Sequence, residues 1–144
     1  MQEQNFKNHI RMVPLYHYVA STLILIPFIL SMIHFCKALY VHSGRLNAAA
    51  DVLLITGIIL VYWFARSFAL KAQDRAIRAE ESLRYFAITG KLPDSKLKMN
   101  QIISLRFASN SEFVDLVHRA VEENMTPKEI KQAIQHWKAD FNRV

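Results

Sequence analysis

Residues 13–41 read VPLYHYVASTLILIPFILSMIHFCKALYV, and residues 48–70 read AAADVLLITGIILVYWFARSFAL. Each stretch is close to the ~20 apolar residues that a helix needs to cross a hydrocarbon layer ~30 Å thick. The first stretch is longer than the apolar core of a signal peptide and is not followed by a small-residue cleavage pattern. The sequence therefore predicts two retained membrane-spanning helices, at about residues 14–40 and 49–70.

The connection between these helices is short, and Ser43 and Gly44 within it favour a turn. Two long helices joined by so few residues are expected to be antiparallel neighbours. Asp51 is expected in the first turn of the second helix, where its charge favours the positive end of the helix dipole. Pro27 interrupts the first helix, and a structural kink at this position is favoured over a gating hinge.

Lysine and arginine residues near the ends of the predicted spans indicate their orientation. Arg45 lies in the connection, with Lys37 one turn inside the first helix. The basic residues on the other side are more numerous: Lys7, Arg11, Arg66, Lys71, Arg75 and Arg78. By the positive-inside rule, both termini are predicted to be cytoplasmic.

The second apolar stretch runs into a charged segment that contains no glycine or proline before Gly90. The predicted helix therefore continues out of the membrane as a cytoplasmic rod. Small and apolar residues follow a 3-4 spacing along one stripe: Ala69, Ala72, Ala76, Ala79, Leu83 and Phe86. The favoured occupant of this stripe is the C-terminal domain folding back, and a partner helix is the alternative. Glu80 and Arg84 are spaced for an ion pair on the polar side.

We assign residues 1–70 to the N-terminal segment and hairpin, residues 71–99 to the helical extension and linker, and residues 100–144 to a small helical domain. Three short helices are expected there. The first is predicted to begin near Asn100, the second in the cluster 109–111, and the third at a capping box from Thr126 to Glu129. The predicted third helix has one apolar stripe, formed by Ile130, Ala133, Ile134, Trp137 and Phe141. We expect Trp137 to be buried against the second short helix and the extension. No strand pattern or internal repeat appears in the sequence, so the predicted fold is all-α.

Composition excludes several classes of function. The net charge is +6, but the basic surplus is shared between both halves of the chain. Nucleic-acid binding is therefore not expected, because it requires clustered Lys and Arg. The sequence shows no metal-ligand cluster, glycine-rich phosphate loop or nucleophile motif, so neither catalysis nor a cofactor is predicted. His17 and His34 lie on one helix and the second helix has none, so haem ligation would require an oligomer or a partner.

Several segments resemble a known family: residues 3–9 (EQNFKNH), 13–18 (VPLYHY), 70–81 (LKAQDRAIRAEE), 101–108 (QIISLRFA) and the run from Ile130 to Trp137. Together they resemble an uncharacterised family of small bacterial inner-membrane proteins with two predicted transmembrane helices and a helical C-terminus. The resemblance covers nearly the whole chain. It implies a bacterial source and an inner-membrane location, but no activity and no site.

The leading functional hypothesis is a non-enzymatic accessory or scaffolding subunit of a larger membrane complex, in contact with lipids and with that complex or with its own copies. Its expected interaction residues are Ala72, Ala76, Ala79, Leu83, Phe86 and Trp137. A membrane-anchored sensor or regulator is one alternative, in which a signal in the bilayer moves the cytoplasmic helices. A homo-oligomeric channel is another, because two helices cannot enclose a transport path unless several copies assemble.

Overall fold

The computed structural model describes residues 5–6 and 12–140, and every named secondary-structure element in these ranges is a helix. A π-helical segment, Leu15–Ala20, leads directly into α1, Ser21–Val41. The long helix α2, Arg45–Thr89, follows after three residues. Three short helices complete the described chain: α3 at Met99–Leu105, α4 at Asn110–Glu122 and α5 at Pro127–Ala133. The predicted all-α fold is confirmed.

The described chain forms two compact units. The hairpin unit comprises residues 12–69 and contains α1 and the first part of α2. In this unit Tyr16 and Ser21 contact Tyr62, whereas His34 contacts Asp51. Because the contact residue on α2 moves backward as α1 advances, the two helices are antiparallel, as predicted.

The turn of the hairpin is tighter than the sequence suggested. Only residues 42–44 separate the helices, and both His42 and Gly44 have positive φ values, of 62° and 68°. Since α2 begins at Arg45, Asp51 lies in its second turn and not in the first. Its expected role at the helix dipole is therefore replaced by a contact with His34.

Within the hairpin unit, both helices are mainly apolar on the outside. Leu15–Val41 and Arg45–Thr89 contain 18-residue windows with mean hydropathies of 2.1 and 2.0, long and apolar enough to cross a membrane. Only 6% and 11% of these windows are buried within the structure. Helices in the core of a soluble protein would be mostly covered, so this apolar surface requires another covering.

The C-terminal unit contains residues 70–140 of the described chain, including the last five turns of α2. Its core is built from the short helices and from Ile77 and Tyr85 of α2. The largest fully buried apolar side chains are Phe107, Phe113, Leu105 and Ile130. The helical extension and the short helices therefore share one hydrophobic core.

Helix ends in this unit follow local sequence signals. Gly90, at φ 71°, ends α2, and capping boxes begin α4 at Ser109 with Glu112 and α5 at Thr126 with Glu129. These boundaries were predicted. α3 begins at Met99, within one residue of the predicted start near Asn100. The N-cap, however, is Lys98 and not Asn100, and the backbone N–H of Lys98 donates to Oε1 of Gln101.

The predicted third helix is shorter than its apolar stripe. α5 ends at Ala133, and Ile134 adopts an extended backbone with ψ 120°. Trp137 forms an isolated antiparallel bridge with Ala108, and its ring lies 5.2 Å from the ring of Phe107. Trp137 is only partly buried and packs beside the end of α3, so its expected burial is confirmed only in part. Phe141 lies outside the described residues.

Candidate functional site

The last part of α2, residues 70–89, has two contrasting faces. Ile77, Glu81 and Tyr85 are buried beneath the short helices. The predicted interaction residues Ala72, Ala76, Ala79, Leu83 and Phe86 are exposed, Leu83 by 68% and Phe86 by 48%. At ~100° per residue the two sets lie on roughly opposite sides of the helix. The expected folding back of the C-terminal domain onto the alanine stripe is therefore wrong.

Arg84 joins α2 to the short helices. Its Nε donates to Oδ1 of Asn110 at 2.8 Å, and its two terminal nitrogens donate to Oε2 of Glu81 at 3.0 Å and to the carbonyl of Ala108 at 2.7 Å. The guanidinium carbon also lies 4.1 Å from the ring centre of Phe113. The planar guanidinium thereby bonds a buried carboxylate and a loop carbonyl, and it also covers the face of an aromatic ring.

Glu112 fixes the extended segment that follows α5. Its carboxylate accepts hydrogen bonds from the backbone N–H groups of Gln135 and His136, both at 3.0 Å, and from Ser109. Burial alone would raise the pKa of Glu112, but the bonds from these backbone N–H groups outweigh it and hold the pKa below its usual value of 4.5. The ionised carboxylate therefore binds the backbone just beyond the end of α5.

A polar cavity of about 350 Å³ lies within the C-terminal unit. Its walls carry Glu80, Glu81, Lys138 and the ion pair in which Nε of Arg106 is 3.0 Å from Oδ2 of Asp140. Among the described residues, Oε1 of Gln73 is buried at one wall without a hydrogen-bond partner. The acidic and basic groups of this cavity largely neutralise one another.

The open end of the hairpin unit carries an aromatic cluster. Tyr16 stacks on Tyr62 with ring centres 4.5 Å apart, and the Tyr62 hydroxyl donates to the Tyr16 carbonyl at 3.0 Å. Ser21 also bonds the Tyr62 hydroxyl, at 2.9 Å, and the Arg66 guanidinium lies 5.4 Å from the Tyr16 ring centre. The Tyr16 carbonyl also accepts a hydrogen bond from the Ser21 hydroxyl at 3.3 Å, so the side chains of Ser21 and Tyr62 both bond it.

Nearer the turn, the hairpin unit brings two ionisable side chains together. Nδ1 of His34 lies 3.2 Å from Oδ2 of Asp51, and both side chains are about half exposed, 54% and 55%. They line a groove of about 550 Å³ whose other walls are almost entirely apolar. Sequence reasoning missed this pair because it considered each residue on its own helix. The only usable signal was that both side chains lie a similar distance from the turn.

Within residues 12–140, no group of three or more His, Cys, Asp or Glu side chains is placed to hold a metal ion. The comparisons with curated proteins and with solved structures found no match. The comparison with protein families found a match to the model of one family, described as a family of unknown function (DUF6526), over residues 1–144. The chain belongs to this family of unknown function, DUF6526, over its whole length.

Proposed function

We propose that the protein is a non-enzymatic scaffold or accessory subunit of the bacterial inner membrane. The hairpin spans the bilayer, and the alanine face, Ala72, Ala76, Ala79, Leu83 and Phe86, binds a helix of a larger membrane complex. The observation that carries the proposal is the contrast between the two sides of α2. One side is sealed by its own short helices, whereas the opposite side presents small and apolar residues to solvent.

The chemistry of the alanine face favours a helical partner. Alanine lets another helix approach closely, and Leu83 and Phe86 at one end add apolar area that alanine alone does not provide. Each also leaves a large part of its side chain in water in the isolated chain, which an interface would remove. These features support an interaction surface and not a catalytic one.

The membrane location is supported by the exposed apolar surface of the hairpin unit. Its large exposed side chains include Leu23, Leu25, Leu53, Leu54 and Val61, and lipid tails would cover them. The excess of Lys and Arg after residue 65 over those at the turn supports cytoplasmic termini. Lys7 and Arg11, which add to this bias, lie outside the described residues.

The orientation has a direct test. A reporter that functions only in the cytoplasm should be active when fused after Val144 and inactive when inserted between Ser43 and Gly44, because the turn would lie in the periplasm. Periplasmic labelling of an added C-terminal cysteine would contradict the proposed topology.

The alanine face is tested by Ala79→Leu, because Ala79 is exposed and does not line the polar cavity of the C-terminal unit. Overpacking a close helix contact typically costs ~1–3 kcal/mol, so we expect a roughly 5- to 150-fold weaker association with the native complex. The measurement is the amount of partner co-purified with the tagged full chain from membranes in mild detergent. Arg78→Lys, an exposed change on the same helix outside the alanine face, should leave co-purification unchanged. Equal yields of partner with both variants would show that the alanine face is not the interface.

A further inference from the structure

The groove of the hairpin unit contains a polar pair that one chain leaves incompletely bonded. His34 contacts Asp51 through Nδ1 and Oδ2. Among the described residues, Nε2 of His34 and Oδ1 of Asp51 have no hydrogen-bond partner. Asp51 is also the only acidic residue in the sequence from 12 to 69. No second carboxylate in the same hairpin can therefore complete the bonding of His34.

The position of the pair makes this deficit costly in a membrane. At 1.5 Å per residue, His34 lies about 10 Å from the end of α1 at Val41, and Asp51 lies about 9 Å from the start of α2 at Arg45. Both side chains are too short to reach far along the helix toward water, unlike Lys or Arg. Ionisable groups at such a depth face other protein groups and are paired.

The groove around the pair is lined mainly by apolar side chains. Pro27, Leu30, Leu54 and Ile58 line it together with the pair, and its volume is about 550 Å³. Because Pro27 has no N–H, the carbonyl of Leu23 at the same groove lacks its usual helical donor. The groove is thus mainly apolar and has a polar spot where α1 and α2 meet.

We infer that a second copy of this chain packs against the groove and covers it, with the His34–Asp51 pairs of the two copies bonded to each other. A protonated imidazole donates from both ring nitrogens. Nδ1–H then donates to Asp51 of its own chain, and Nε2–H donates to Asp51 of the second copy. Two imidazolium groups and two carboxylates form a closed ring with no net charge.

Symmetry favours a second copy over an unrelated helix as the occupant. An unrelated helix would have to supply an acceptor for Nε2–H and a donor for Oδ1, at the correct depth and spacing. A two-fold related copy supplies both automatically, because a two-fold interface places the same surface patch on each subunit. The inference rests on the proposed membrane location, and it adds a homodimeric contact separate from the alanine face.

Cross-linking of the full chain in native membranes tests this arrangement. In a Cys36→Ala background, one cysteine is placed either at Leu30 in the groove or at Leu25 on the opposite side of α1. The two positions are similarly exposed, by 60% and 57%. We expect a short bis-maleimide to give dimers at least several-fold faster with Leu30→Cys than with Leu25→Cys. Equal rates would overturn the inference and indicate that lipid or another protein occupies the groove.

Changes to the pair test whether it holds the copies together. In the Leu30→Cys chain, His34→Ala should reduce dimer formation several-fold, whereas Thr56→Ala should not, since the Thr56 hydroxyl bonds only Val52 of its own helix. Exchanging the pair, with His34→Asp and Asp51→His together, keeps the ring and should restore cross-linking. Failure of the exchange to restore it, or insensitivity to His34→Ala, would overturn the inference.

Membrane fractionation of the same samples separates the two proposals. A membrane-inserted chain without groove-specific dimers would overturn the homodimer alone. A chain that is not retained in the membrane fraction would overturn both the homodimer and the membrane location.

Discussion

Replacing Arg84 with alanine should lower the free energy of unfolding of the C-terminal unit by about 3–5 kcal/mol, the usual result of removing one partner of a buried ion pair. The variant leaves Glu81, which is 8% exposed, without its cation. It also removes the donors to Asn110 and the Ala108 carbonyl and uncovers the ring of Phe113. No other side chain of α2 makes as many contacts of this kind with the short helices in the described structure.

Denaturant unfolding of the full chain in mild detergent measures this effect. The chain has two tryptophans, so a Trp63→Phe background leaves Trp137 as the sole reporter of the C-terminal unit. Arg78→Ala, an exposed change six residues earlier on α2, should alter stability by no more than about 0.5 kcal/mol. If Arg84→Ala lowers the free energy of unfolding no more than Arg78→Ala does, Arg84 does not stabilise the packing of α2 on the short helices.

The buried charge can be separated from the lost contacts by a double variant. If the uncompensated carboxylate causes most of the loss, Arg84→Ala with Glu81→Ala should be less destabilised than the sum of the two single variants. Arg84→Lys should recover little, because an ammonium group cannot reproduce the planar arrangement of donors that reaches three acceptors.

The features that the sequence predicted correctly depend on local chemistry. Helix ends at Ser109, Thr126 and Gly90 follow from side chains and backbone angles within four residues of each end. The antiparallel hairpin follows from two long apolar runs joined by a short turn. Neither feature requires knowledge of distant contacts, so a single sequence is sufficient.

The errors arise where distant groups override a periodic pattern. The alanine stripe is the most regular apolar pattern on α2, yet the covered face contains Glu81 and Arg84, which appear solvated in a sequence. Arg84 pairs with Glu81 instead of Glu80 because Asn110 and the Ala108 carbonyl determine where its guanidinium lies. The pairing of His34 with Asp51 depends on the exact register of the hairpin, which periodicity does not specify.

The end of α5 at Ala133 is a further case in which distant groups override a periodic apolar pattern. The apolar spacing of Ile130, Ile134 and Trp137 continues beyond Ala133, but the backbone does not remain helical. Glu112 binds the N–H groups of Gln135 and His136, and two further backbone bonds connect His136 to Ser109 and Lys138 to Phe107. A carboxylate on α4 thus competes successfully with continuation of the helix.

Glu112→Gln should therefore destabilise the C-terminal unit by about 2–4 kcal/mol at neutral pH, because hydrogen bonds to charged groups contribute ~1.5–3 kcal/mol each and this site is partly exposed. A carboxamide retains one acceptor oxygen and cannot accept both amide bonds in the same way. The segment that carries Trp137 should then separate from Phe107, with a red-shifted emission and easier quenching in the Trp63→Phe background. Asp115→Asn, an exposed acid-to-amide change on the same helix, is the matched control and should leave the emission unchanged.

The pH dependence provides the independent check. Since the folded-state pKa of Glu112 lies below its usual value of 4.5, its stabilisation is fully present above pH 4.5. The stabilisation is lost as the pH falls through the folded-state pKa, because the protonated group no longer favours the folded state. The difference in unfolding free energy between wild type and Glu112→Gln should accordingly be constant from neutral pH down to about 5 and shrink at lower pH. A difference that persists unchanged in acid would mean that the shape of the side chain, and not its charge, fixes the segment around Trp137.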